Sequence, residues 1–131
     1  MRPSLTFWFV LAILGILLYA IVTPQIGSNP WRARIVAAQD DINVGIKSAI
    51  DRFKVDNGYY PKSFQDLVQQ PNDAKNWHGP YFSPPNIPID PWGDNYIYKC
   101  PGKHNPGSYD LFSAGPDGRL GTEDDISNWT K

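Results

Sequence analysis

Cysteine, histidine and charge at the front of the chain are all scarce in these 131 residues, and each scarcity excludes something. Cys100 has no second cysteine to pair with, which rules out an internal disulfide and any CxxC metal site. A single free cysteine is most often a small buried apolar residue. The formal net charge is −1, so the chain carries no basic footprint for nucleic acid. The two histidines, His78 and His104, sit in Pro/Gly-rich loops with no G-x-S-x-G or H-E-x-x-H around either, and read as solvent-facing. No glycine-rich phosphate loop and no internal repeat occur. With no nucleophile and base set at a working spacing, the chain reads as a non-enzyme.

Residues 5–22 contain no acid or base and are dominated by Leu, Ile, Val, Phe, Ala and Trp. At about 1.5 Å per residue, a helix of that length comes close to crossing a bilayer's hydrocarbon. The run is long for a signal peptide's apolar region and no small-x-small cleavage site follows it, so it reads as a retained anchor. Without an ionisable residue it offers no ion path or proton relay. Arg2 stands before the run and Arg32 and Arg34 after it, and we expect the amino terminus inside. Pro24, Gly27, Ser28, Asn29 and Pro30 then interrupt helix propagation, either as a linker or as a melted stretch in a long bent helix. This divides the chain into residues 1–30, an anchor and hinge, and residues 31–131, a globular part of about a hundred residues with room for a modest core.

Large apolar residues recur at Ile35, Ile42, Ile46, Ile50 and Phe53, with Ala38 and Ala49 on the same side. Steps of three, four and seven draw one stripe on a helix. Asp40, Asp41, Asn43, Lys47, Asp51, Arg52 and Lys54 fall off the stripe. Asp56-Asn57-Gly58 predicts a left-handed stop. Ser63 and Asp66 form a capping-box pair for a short second helix with Phe64, Leu67 and Val68 on its apolar side. Ten of the thirteen prolines follow Tyr60, so the second half should be loop-rich. Its aromatics, Trp77, Tyr81, Phe82 and Trp92, are expected to pack across the stripe. Tyr96 to Cys100 and Tyr109 to Phe112 read as short antiparallel strands. Two or three strands laid on an amphipathic helix make an α+β fold.

The stretch from Ser113 to Ile126 concentrates carboxylates. From Asp110 to the end there are five acids against two bases, Arg119 and Lys131. Glycines at 115, 118 and 121 let a loop close so that Asp117, Asp124 and Asp125 converge. Together with backbone oxygens, for instance at Ala114 and Arg119, they approach the six to eight oxygens that a calcium ion takes. The EF-hand spacing is absent. The same residues also fit a solvated acidic turn closed by Asx-turns.

The order of short motifs carries more. Asp56-Asn57-Gly58-Tyr59-Tyr60-Pro61, Trp77-His78-Gly79-Pro80-Tyr81, Asp90-Pro91-Trp92-Gly93-Asp94-Asn95-Tyr96, Lys99-Cys100-Pro101-Gly102, Tyr109-Asp110-Leu111, and Asp117-Gly118 followed by Asp124-Asp125-Ile126 occur in sequence. From about Ile13 to Ile126 the chain resembles the major pseudopilins of the type II secretion system, which are type IV pilin-like. The resemblance implies a long N-terminal helix, half in the inner membrane and half packed on a small antiparallel sheet in the periplasm. It implies a homo-oligomeric filament, working with other pseudopilins and inner-membrane secretion components, that pushes folded proteins through an outer-membrane channel. It also implies one calcium ion held by Asp117, Asp124 and Asp125 with backbone oxygens near Ala114 and Arg119. Residues 1–6 do not resemble the family's Gly-Phe-Thr-Leu-Ile-Glu-like cleavage signal, and the family's acidic position falls on or near Thr6. A membrane-tethered calcium-binding protein that never polymerises is the alternative.

Overall fold

The computed structural model describes residues 29–130. The apolar run, most of the hinge and the anchor expected from them lie outside the described residues, as does Lys131. Among the described residues, no helix is long and apolar enough to cross a membrane.

Helix α1 (Pro30–Asp40) starts where Asn29 accepts the Trp31 N–H on its side chain at 3.2 Å and Pro30 supplies a fixed φ at the first helical position. It passes through a π-helical turn (Asp41–Gly45) into α2 (Ile46–Asn57), so the two make one continuous rod. Within the π turn the Ile46 N–H reaches back five residues to the Asp41 carbonyl. The rod stops at Gly58, whose φ of 83° is the left-handed value the Asp-Asn-Gly run called for.

Ala38, Ile42, Ile46, Ala49, Ile50 and Phe53 are all buried. Ile35 lies half-buried at the edge of the same stripe. Full burial of an Ile or Phe side chain stabilises by about 1.5–3 kcal/mol, so this one face supplies a large share of what holds the fold. Asp41, read from the sequence as off the stripe, is half-buried instead, and its Oδ2 accepts the Tyr96 hydroxyl at 2.7 Å. That contact ties the π turn to the residue preceding the sheet.

Ser63 and Asp66 form the expected capping box, but they open one 3₁₀ turn (Phe64–Leu67) rather than an α-helix. The segment is too short to offset the cost of a helical nucleus. Leu67 is fully buried, and its carbonyl takes the Tyr81 N–H at 2.7 Å. Tyr81 in turn sets its ring edge-on to Phe53 at 5.7 Å. The proline-rich stretch is thereby fastened to α2 by an aromatic packed on the stripe, as its composition suggested.

Three strands follow: β1 (Ile97–Lys99), β2 (Asp110–Ser113) and β3 (Ile126–Ser127), antiparallel in the order β1-β2-β3. Tyr98 lies opposite Leu111, and Ser113 opposite Ile126. All four β2 residues are buried because both faces of the strand are covered. Leu111 joins the helix stripe, whereas Asp110 and Phe112 lie under the 103–105 arm and Trp129. Cys100 is half-buried, its Sγ 3.7 Å from the Ser108 carbonyl.

Candidate functional site

The acidic stretch is the β2–β3 hairpin connection. Pairing of Ser113 with Ile126 fixes both ends, so Ala114 leaves the sheet beside the point where Asp124 and Asp125 return to it. Gly115 is required at the crossing. Its φ is 68°, and a Cβ there would stand 2.3 Å from the Asp124 carbonyl oxygen. Gly118 and Gly121 also have left-handed φ values, 66° and 85°.

The loop is held by its own carboxylates. Asp117 N–H donates to Asp124 Oδ2 at 3.1 Å, Arg119 N–H to Asp117 Oδ1 at 2.8 Å, and Gly121 N–H to Asp125 Oδ2 at 2.8 Å. The Thr122 hydroxyl stands among three oxygens: Asp124 Oδ1 beside it, the Arg119 carbonyl at 3.2 Å and Asp125 Oδ1 at 3.5 Å. Of the residues singled out from the sequence, Asp124, Asp125 and the Arg119 carbonyl are therefore brought together directly. Asp117 joins through its N–H, while its carboxylate turns to the backbone of its own turn. Ala114 is buried at the strand end. Among the described residues, no group of three His, Cys, Asp or Glu is drawn to metal-binding spacing.

Sequence reasoning missed Thr122, whose signal was a hydroxyl within three residues of both Asp124 and Asp125. The donors gathered here are all oxygen, the chemistry a hard divalent cation takes.

A buried relay fastens this loop to the preceding one. Asp90 is 3% exposed; its Oδ1 accepts the N–H groups of Trp92 at 3.0 Å and Asp94 at 2.9 Å. Its Oδ2 accepts the Ser113 hydroxyl at 2.5 Å, and Ser113 Oγ accepts the Gly115 N–H at 3.0 Å. The pattern Asp90-Pro91-Trp92-Gly93 was the sequence signal for this Asx-type turn. Its reach to Ser113 is a tertiary contact that local spacing cannot show.

Asp110 closes the arm between β1 and β2. It is 2% exposed and accepts the N–H groups of Lys103 at 2.8 Å, His104 at 2.9 Å and Asn105 at 3.0 Å, with His104 Nδ1 at 3.0 Å. Burial alone would raise its carboxyl. The His104 backbone and ring donors and the Asn105 and Lys103 N–H groups outweigh burial and hold it below the usual carboxylate range. His104 is thus no idle surface residue: besides meeting Asp110, it stacks on Trp129 at 4.1 Å with planes 5° apart.

The family described as type II secretion system (T2SS), protein G, matches residues 25–129. The type II secretion system core protein G of Escherichia coli (strain K12) is 40% identical over 126 residues, covering 92% of this chain and 83% of that protein. Its counterpart in Pseudomonas aeruginosa is 41% identical over 129 residues, covering 92% and 87%. That of Vibrio cholerae is 38% identical over 129 residues, covering 92% and 84%. Coverage of 92% exceeds what residues 29–130 can supply, so the similarity runs on into the apolar segment. The crystal structure of the major pseudopilin from the type 2 secretion system of enterohaemorrhagic Escherichia coli superposes with a TM-score of 0.66 at 34% identity, covering 82% of this chain and 92% of that one. The chain belongs to the type II secretion system protein G family.

Proposed function

We propose that the chain is a structural subunit of the type II secretion pseudopilus. Residues 1–30 anchor it in the inner membrane with its globular part in the periplasm, and copies polymerise through that segment to push folded proteins outward. The observation that carries the reading is the family match, which includes the helix stripe, the aromatic loops and the acidic hairpin together. The surface of the rod supports it. Val36, Val44 and Val55 are 53–83% exposed on the side of the rod away from its buried stripe, a costly placement for a lone domain and a useful one when copies pack side by side.

The same reading gives the β2–β3 loop one calcium ion, held by Asp117, Asp124 and Asp125 with backbone oxygens near Ala114 and Arg119. When bound, the ion supplies positive charge among carboxylates that would otherwise repel one another. The chain's part is to present oxygens. Gly115 permits the crossing of Ala114 and Asp124, Thr122 fixes the rotamers of Asp124 and Asp125, and Asp90 with Ser113 anchors the loop's first turn. The loop's stiffness then sets the stiffness of the outer domain.

Two measurements test this. The full chain, produced in a secretion-competent bacterium lacking its own protein G, should restore release of a secreted enzyme. Stable membrane-bound chain with no release and no higher oligomers would favour the tethered, non-polymerising alternative. For calcium, an ion at a hundredfold over its Kd stabilises by about 2.7 kcal/mol. On a domain of this size that is a rise in Tm of about 10 °C relative to excess chelator. An unchanged Tm would defeat the calcium assignment and leave the subunit assignment standing.

A further inference from the structure

A cleft of about 430 Å³ opens on the sheet face opposite the helix stripe, between the arm that follows β1 and the β2–β3 loop. Its floor is aromatic. Phe112 projects from β2, Trp129 meets it edge-on at 5.2 Å, and His104 covers the far side of the indole. On the loop rim Leu120 is 61% exposed, an aliphatic side chain facing solvent beside an aromatic floor. On the arm rim stand Lys99 and Lys103. The Lys99 ammonium is 6.0 Å from the centre of the Phe112 ring, and neither lysine forms an ion pair among the described residues. The carboxylate beneath them, Asp110, already has its oxygens occupied by the arm's own N–H groups.

The two rims differ in sign. The arm carries Lys99 and Lys103, neither in an ion pair among the described residues, whereas the loop carries Asp125. A long polyanion crossing the cleft would meet repulsion on the loop side, so nucleic acid does not fit. A short segment with acids at one end and a large apolar residue at the other does. Its apolar side chain would rest between Leu120 and Trp129, an arrangement suited to an interface anchor, while its acids face the lysines.

We infer that this cleft docks an acidic, apolar-anchored segment of a partner protein. A dipolar occupant is what the lining selects.

The test uses the full chain in zwitterionic detergent with calcium present throughout, so that the loop stays in one state. The probe is a blocked, fluorescein-labelled peptide of sequence Asp-Glu-Asp-Phe-Leu-Gly-Ser-Gly. Titration should give saturable anisotropy, weakened about tenfold or more by the double variant Lys99→Glu, Lys103→Glu and unaffected by Lys75→Glu. Binding should weaken as salt is raised, and the Trp129 indole N–H resonance should shift with peptide. Both rim lysines are exposed, and equal Tm values would show that the variants fold. No saturable binding, equal binding by the double variant, or equal affinity for a peptide with lysines in place of its acids would overturn the inference. So would a Trp129 shift that follows protein concentration rather than peptide, since that assigns the cleft to a second copy.

Discussion

Replacing Asp110 by Asn removes one charge and changes almost no volume, so its effect isolates what the buried carboxylate does. Oδ2 receives the N–H groups of Lys103 and His104, and Oδ1 receives that of Asn105. Whichever way an amide is turned, its NH₂ faces at least one of these donors. Leaving one buried donor unmatched costs about 1–3 kcal/mol, and the remaining bonds weaken from charge-assisted to neutral strength. Relief of charge burial returns part of this, so Asp110→Asn should lose about 2–3 kcal/mol at pH 7. Urea unfolding followed by tryptophan fluorescence reads the loss. The pH dependence supplies a second handle. The folded carboxyl titrates below its unfolded value of about 3.9, so its contribution is complete above that value and disappears as pH falls through the folded one. The gap between wild type and variant should therefore close in acid. A gap below about 0.5 kcal/mol at pH 7, or one that stays constant into strong acid, would refute the reasoning.

Gly115→Ala should abolish any calcium-dependent rise in Tm, because the new Cβ meets backbone of Asp124 that cannot move aside. Gly58→Ala, with nothing within 4 Å of its Cβ, should cost only about 1 kcal/mol of left-handed strain; equal effects at the two sites would contradict the crossing argument. Phe53→Ala should lose about 3–5 kcal/mol in urea unfolding, since the ring is fully buried between Tyr59 and Tyr81. At alkaline pH, burial pushes Tyr109 up to about 12, helped by Asp51 and Tyr60, and burial also raises Tyr96 and Tyr98. Stability carried by these neutral phenols is complete below the free-tyrosine value of about 10 and is lost as pH rises through the folded values. Phenolate absorbance should therefore lag at these tyrosines until circular dichroism falls; full titration with the fold intact would count against their burial.

How far the sequence was legible follows physical range. The stripe from Ile35 to Phe53 could be read because helical period is local, and Gly58 because a left-handed stop favours glycine. The π turn at Asp41–Gly45 leaves only a faint trace in the sequence. Ala38, Ile42 and Ile46 step by four twice, and on an α-helix each such step drifts by about 40°. The wider turn cancels that drift and keeps all three on the buried face. Ser63 and Asp66 specified a cap but not the kind of helix, since a cap fixes where a helix starts rather than how long it runs. The hairpin carboxylates were found by composition. The contacts that fasten them, Asp90 with Ser113 and Asp110 with His104, depend on residues that only the folded chain brings together.

The central claim, that copies stack through the apolar front segment, is tested most directly by cross-linking. With Cys100 replaced by Ala and a single cysteine introduced by Ile16→Cys, oxidation or a bifunctional reagent in intact membranes should yield a covalent dimer, the limit for one thiol per chain. A dimer that is lost when charge is placed in the run by Leu17→Lys is the result the account predicts. Monomer alone, with the chain abundant in the membrane fraction, would contradict it.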